Sequence, residues 1–482
     1  MKMDDKRKTI FKILLITITL IIGIVLGVWQ LKPPHADKSS PMYPAYERML
    51  HNIERFAVNP HPAGSVENDV VRAQILDEIM SMGLVPALDK ASYTAAEIAE
   101  KWFWIDNADS KEQWWNKRQK FVEKRSDGIH NPDDFFASLV TEEGTLDVHN
   151  IFLKLDAPDT DRGIMFVSHY DSVGMGPGAA DAMVAVCAML EAMRVQAQNY
   201  TLKNNIYFLI TSGEEDGLLG AFAFVKEHPK LANKIDMVIN LEARGNGGGL
   251  VLFETSKEAY SLLHTVLKSG ASPVSFSLAA SVYEMMPNST DFMVLIDNGF
   301  KGINMAMIEN VENYHQPTDT YENLNKSSAW HYIHTVMHLT NYFADNSLEE
   351  LNEPSVAAVY FQFLPGITVL MSVMVSHLLC VLTCILGLLF IIMQVKKKQL
   401  KITGLTVFMG VLALLSIGSA VFLAAGSYLF YIPLLAMVCT MLLKKRILVH
   451  TAAKVVSGIV TLLLWVPFVY MVWVSILLPS LL

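Results

Sequence analysis

The sequence predicts an α/β fold, a sheet with helices on both faces, carried on a chain with one N-terminal and about four C-terminal membrane-spanning helices. Three observations predict it. Apolar strands alternate with helical segments of roughly ten or more residues through the middle of the chain. A histidine and several carboxylates stand at the ends of successive strands. Both ends of the chain carry long apolar runs bordered by basic residues.

Asn68 to Met82 has helical periodicity, and Gly83 follows as a stop. His149 to Leu155 reads as a strand, and Gly163 to Val167 as a buried strand ending at Ser168-His169. Asp181 to Gln196 reads as a helix. Asn205 to Ile210 is a further strand, followed by Thr211-Ser212-Gly213-Glu214-Glu215. Leu219 to Glu227 is helical, and Ile235 to Leu241 is a strand ending at Glu242. Ligands of such sheets gather at the carboxyl ends of the strands. Here those ends carry His169, Glu214-Glu215 and Glu242. Residues 88–147 look like an inserted helical segment. Its Trp102, Trp104, Trp114 and Trp115 suit a cap over the site, a rest on the bilayer or simple packing.

Of the 482 residues, 52% are hydrophobic and 18% charged, and the apolar excess is concentrated at the chain ends. A net charge of -9 offers no basic footprint, which excludes nucleic-acid binding. Of the four cysteines, Cys380, Cys384 and Cys439 lie in apolar runs. Cys187 alone lies in the polar part, so neither a disulfide scaffold nor a zinc ribbon is expected.

The run Ile13 to Leu31 follows Lys6, Arg7, Lys8 and Lys12. It is long enough to cross a bilayer. Gln30-Leu31-Lys32-Pro33-Pro34 lacks a small-x-small cleavage site, which favours an uncleaved anchor over a signal peptide. Four more spans are expected at about 367–394, 403–425, 428–443 and 453–479. Five spans put Lys396, Lys397, Lys398 and Lys401, and also Lys444, Lys445 and Arg446, on the cytoplasmic side. The organisation expected is a cytoplasmic tail (1–12), an anchor (13–31), a linker (32–45), an extracytoplasmic globular domain (46–350) and a membrane domain (351–482). His377, inside a span, suits a structural role better than a proton relay.

Histidine and carboxylates with open positions suit a catalytic zinc site. Asp171, two residues past His169, can accept a hydrogen bond from the imidazole and orient it. Asp181 follows the turn Gly174-Met175-Gly176-Pro177-Gly178, and a carboxylate there can bridge two cations. Glu214 and Glu215 are adjacent, so one can bind metal while the other handles protons.

These residues resemble a known family. The runs Ser168-His169-Tyr170-Asp171-Ser172, Pro177-Gly178-Ala179-Ala180-Asp181, Gly213-Glu214-Glu215 and Asn240-Leu241-Glu242-Ala243 are similar to those of the di-zinc aminopeptidases. That clan includes aminopeptidase S, aminopeptidase Y and glutamate carboxypeptidase II. Tyr314-His315 within Tyr314-His315-Gln316-Pro317-Thr318-Asp319-Thr320 resembles the family's last ligand motif. Pro287-Asn288-Ser289-Thr290-Asp291-Phe292 and His61-Pro62-Ala63-Gly64-Ser65 resemble further segments. The likeness covers roughly residues 50 to 345 and is nearest the membrane-bound subgroup of endoplasmic reticulum metallopeptidases and vacuolar membrane proteases.

The resemblance implies a mixed, mostly parallel central sheet and two zinc ions per chain. His169 and Glu242 would hold one ion, Glu215 and His315 the other, with Asp181 bridging and Glu214 as general base. Ala182-Met183-Val184 depart from the family, which often has a second acidic or amide residue after the bridging aspartate. The function implied is a zinc exopeptidase, an aminopeptidase first, with peptides as substrates and the bilayer as partner. A bacterial cell membrane is favoured and an organelle membrane left open. The alternatives are another exopeptidase, a single-zinc glutaminyl cyclase-like enzyme, or a non-catalytic receptor on the same fold. Tyr283 suits oxyanion stabilisation or core packing, and Arg244 a substrate carboxylate or an ordinary salt bridge. His331, His334 and His338 have helical spacing and suit a plain amphipathic helix better than a metal site.

Overall fold

The computed structural model describes residues 32–125, 129–199, 201–283, 289–364 and 366–379, with a few isolated positions beside them. The chain divides into two compact units, Met1–Ser372 and Val373–Leu482. The expected spans at 13–31 (save position 18), 403–425, 428–443 and 453–479 lie outside the described residues. Among the described residues no helix is long and apolar enough to cross a membrane.

The first unit is built on an eight-stranded sheet. In chain order its strands are β1 (Ala87–Thr94), β2 (Thr145–Leu155), β3 (Gly163–His169), β4 (Asn205–Thr211), β5 (Ile235–Ala243), β6 (Gly247–Thr255), β7 (Val274–Ser275) and β8 (Gly302–Glu309). Across the sheet the order is β1-β2-β4-β3-β5-β8-β6-β7. The middle strands β4, β3, β5 and β8 run parallel, with Ser168 opposite Ile210 and Glu242 opposite Ala306. The flanking pairs β1/β2, β2/β4 and β6/β8 are antiparallel. The expected mixed sheet with a parallel centre is therefore present, and the four parallel strands bring their carboxyl ends to one edge.

Every residue of β3, β4 and β5 is buried, as strands covered on both faces must be. The two-residue period sorts their side chains between two cores. Ile164 and Phe166 of β3, with Met237, Ile239 and Leu241 of β5, pack on one face. There they meet the Val184–Gln196 and Lys326–Asp345 helices. Met165, Val167 and Val238 point the other way, against Phe224, Phe292 and Leu295 of the Leu219–Glu227 and Asp291–Asp297 helices. The helix expected from Asn68 to Met82 spans Val66–Ser81, and the Ser65 hydroxyl caps it by accepting from the Asn68 backbone N–H (3.1 Å). The helix expected from Asp181 begins at Val184, because Ala179–Met183 forms a wide π-type turn.

Two expectations are corrected. The segment 88–147 is not wholly helical: it opens with β1, which extends the sheet alongside β2 before the Ala95–Ile105, Lys111–Arg125 and Pro132–Ser138 helices begin. Ala91, Tyr93 and the charged Asp89 and Lys90 give β1 an edge-strand composition without a clean alternation, so periodicity did not reveal it. The apolar run from about 367 does not start as a span either. Residues Ile367–Ser372 form β10, paired antiparallel with β9 (Ala358–Leu364), and this hairpin belongs to the first unit. Valine, isoleucine and phenylalanine favour a strand as readily as an apolar helix.

The inserted helices have a core of their own. Thr94 and Glu97 form a capping box at the start of the Ala95–Ile105 helix. Trp114 is fully buried, with its ring 4.7 Å from Phe136 and 5.4 Å from Phe135. Trp102 ties the insertion to the loop after β4, donating its indole N–H to the carbonyl of Asp216 (3.0 Å). Trp114→Ala is expected to cost about 3–5 kcal/mol, the range for emptying a large aromatic site. The partly exposed Trp104→Ala should cost much less. Chemical denaturation of the two variants checks this; equal losses would contradict it.

Candidate metal centre

Six of the residues singled out in the sequence meet at the carboxyl edge of the parallel strands. His169 is the last residue of β3 and Glu242 lies one residue from the end of β5. Glu214 and Glu215 follow β4, Asp181 sits in the turn before the Val184–Gln196 helix, and His315 follows β8 after a short 3₁₀ turn. His169 Nε2 lies 3.4 Å from Asp181 Oδ1 and 3.5 Å from Glu242 Oε2. His315 Nε2 lies 3.3 Å from Asp181 Oδ2 and 3.0 Å from Glu215 Oε1. Donors about 2.0–2.1 Å from a tetrahedral zinc stand roughly 3.3 Å from one another, so both groupings have the spacing of a ligand set. The two triads, His169-Asp181-Glu242 and Asp181-Glu215-His315, share Asp181, which turns a different oxygen to each histidine.

The surroundings hold these groups in place. His169 Nδ1 donates to the backbone carbonyl of Asp171 (2.9 Å), which directs the Nε2 lone pair into the cluster. The expectation for Asp171 is thereby corrected. Its carboxylate is 3.7 Å from Nδ1 and accepts instead from the backbone N–H groups of Glu214 (3.3 Å) and Glu215 (3.2 Å). Asp171 therefore fixes the loop that presents the two glutamates. Gly178 is in the left-handed conformation (φ 66°), and a Cβ there would come within 2.6 Å of the Asp181 carbonyl, so the turn under Asp181 needs glycine.

Three supporting residues were not assigned roles from the sequence. The Asp319 carboxylate accepts from the backbone N–H groups of Ala180 (3.0 Å) and Asp181 (3.1 Å), clamping the turn. Asn240 donates to Glu242 Oε1 (3.1 Å), and the Tyr332 hydroxyl donates to the Glu242 carbonyl (2.9 Å). Asn240 and Asp319 sit inside motifs already noticed, which was the signal available. Tyr332 comes from a distant helix and left none.

The cluster is buried and overloaded with negative charge. His169, Asp181, Glu215 and Glu242 are each at most 6% exposed. Burial pushes the Glu214 carboxyl well above the usual carboxylate range. Burial also raises Glu242, against the opposing pull of His169. Burial would raise Asp181 as well, but the two imidazoles outweigh it and hold the group down at about 2. Burial disfavours imidazolium at His315, yet Glu215 and Asp181 lift it to about 9. Two histidines cannot offset four carboxylates, and divalent cations would. His315 Nε2 is sealed from solvent and makes no hydrogen bond despite its carboxylate neighbours, as suits a lone pair aimed at a cation. The donor set thus fits zinc.

Above the cluster opens a pocket of about 320 Å³. Glu214, Glu215 and His315 lie on its floor, and the insertion supplies Trp102, Ile105, Arg118 and Phe121 to its wall. Tyr283 packs edge-on against Phe253 (4.5 Å) in a small apolar cluster. His331 accepts from the Leu250 N–H (3.1 Å) and bonds the Ser272 carbonyl (3.0 Å), a bridging role within the fold.

Fold and cluster define an α/β protein with its polar centre at the ends of parallel strands. Within that class, residues 150–340 match the model of peptidase family M28. The vacuolar membrane protease of Saccharomyces cerevisiae (strain RM11-1a) is 26% identical over 364 residues, covering 74% of this chain and 34% of that one. Endoplasmic reticulum metallopeptidase 1 of Rattus norvegicus is 31% identical over 206 residues, covering 42% and 23%. The chain thus spans about a third or less of the length of these relatives. Among solved structures, the aminopeptidase from Aneurinibacillus sp. strain AM-1 is 16% identical with a TM-score of 0.45, over 62% of this chain and 93% of that one. The glutaminyl cyclase of Porphyromonas gingivalis is likewise 16% identical, with a TM-score of 0.42 over 62% and 96%.

Asp319→Ala would leave two buried N–H groups without an acceptor and free the turn beneath Asp181. Zinc affinity, measured by competition with a chelator, is expected to fall about 10- to 100-fold, the range for losing a group that orients a ligand. Unchanged affinity would contradict the clamp.

Proposed function

We propose that the chain is a membrane-anchored, zinc-dependent exopeptidase, an aminopeptidase first, that hydrolyses peptides outside the cytoplasm. The observation that carries this reading is the pair of donor triads sharing Asp181, with Glu214 beside them on the floor of a pocket. His169, Glu242 and Asp181 would hold one ion, and Glu215, His315 and Asp181 the other. Bound there, the two ions would polarise the scissile carbonyl and supply a water acidic enough to attack near neutral pH.

The remaining work falls to the chain's own groups. Glu214 takes the proton of the attacking water and delivers it to the leaving amine. Its burial, which favours the protonated form, helps it hold that proton between the two transfers. The aromatic wall of Trp102 and Phe121 keeps bulk water from the bound peptide. The Asp171 carboxylate keeps Glu214 and Glu215 apart in direction by gripping both of their N–H groups. A single-zinc cyclase would not need the second triad, so the shared aspartate favours two ions and hydrolysis. The basic-flanked apolar runs and the similarity to a vacuolar membrane protease support anchoring. The yeast and rat relatives lend the bacterial setting no support.

Glu214→Gln tests the reading. The variant should keep two zinc ions by elemental analysis and lose at least about 100-fold in turnover of aminoacyl-fluorogenic substrates, the scale of lost acid–base help. Turnover equal to the parent would refute the assigned base. His315→Ala should retain roughly one ion per chain, since a catalytic zinc needs three protein ligands and only one of the two triads joined by Asp181 stays whole; two retained ions would contradict the assignment.

A further inference from the structure

The pocket over the metal centre contains a positive charge, Arg244, with no salt-bridge partner among the described residues. Arg244 follows the last residue of β5, and its backbone N–H still donates to the Met307 carbonyl of β8 (2.7 Å), so the strand pairing carries on through it. Alternation then places Arg244 on the same side as Glu242, about 6–7 Å farther along. The half-buried guanidinium lies 5.7 Å from the centre of the Tyr314 ring, which stacks at 3.7 Å on the His315 imidazole. Arg244 forms no salt bridge among the described residues. Arg118, the other guanidinium on the pocket wall, is committed to both oxygens of Asp106 (2.6 and 2.7 Å). The carboxylates lining the pocket, Glu214 and Glu215, belong to the metal centre. Among the described residues an entering peptide therefore meets one uncommitted charge, and it is a cation shaped to grip a carboxylate with two parallel hydrogen bonds.

We propose that Arg244 binds a carboxylate of the substrate on the residue just past the cleaved bond. The inference rests on the peptidase reading and narrows it to dipeptides and other short peptides with an anion at that place. Successive Cα atoms stand about 3.8 Å apart. The terminal carboxylate of a dipeptide thus sits one residue beyond the attacked carbonyl, which suits a cation one pleat beyond Glu242. An acidic side chain on the same residue offers the same chemistry.

The test compares Leu-Ala, Leu-Ala-amide and Leu-Glu-amide as substrates of the full-length, zinc-loaded protein and of Arg244→Gln and Arg244→Lys. The protein is expected to prefer Leu-Ala to Leu-Ala-amide by about 10- to 100-fold in kcat/KM, the scale of a charge-assisted hydrogen bond, chiefly through KM. That preference should collapse in Arg244→Gln and partly return in Arg244→Lys. Preference for Leu-Glu-amide over Leu-Ala-amide, lost in Arg244→Gln, would support the subsite with a side chain as the source of the anion. Equal cleavage of all three peptides, or a preference untouched in Arg244→Gln, would overturn the inference and leave the peptidase reading standing. No cleavage of any of them would overturn both.

Discussion

The centre depends on one carboxylate facing two histidines. Asp181 gives Oδ1 to His169 and Oδ2 to His315, and each histidine brings one further carboxylate. Here that group does not lie on a regular helix. It sits instead in a wide turn entered through the left-handed Gly178 and clamped from below by Asp319. Burying four carboxylates against two imidazoles is unfavourable without further positive charge. The fold accepts that local instability where bound cations would relieve it.

The parallel sheet makes the convergence possible. Four strands ending at one edge bring His169, Glu214, Glu215, Glu242 and His315 together from positions nearly 150 residues apart. The two cores behind them, one on each face, fix the strands. The insertion works differently. It joins the sheet through β1, packs around Trp114, and reaches the loop after Glu215 through Trp102. The same segment that extends the fold thus walls the pocket.

The site was legible because its motifs end strands: an apolar run closing on His169 or Glu242 announces both a strand and a polar side chain at its tip. The central strands were legible for the same reason, since full burial leaves unbroken apolar runs. Strand β1 was not, because an edge strand rich in charge carries no period. The β9–β10 hairpin was not, because hydropathy alone cannot separate an apolar hairpin from the start of a span. The carboxylate of Asp171 was assigned to the wrong hydrogen bond: spacing places it near His169, but only the backbone path shows that the carbonyl reaches Nδ1 first. Tyr332 was invisible, since its partner Glu242 lies 90 residues away.

The central claim is that one carboxylate joins two metal sites. Zinc X-ray absorption on the fully loaded protein tests it most directly. The account predicts a zinc–zinc vector of about 3.5–4 Å, the spacing of a bridged pair, which disappears in Asp181→Ala. Zinc sites without a metal neighbour in the parent protein, or a vector that survives the loss of Asp181, would contradict it.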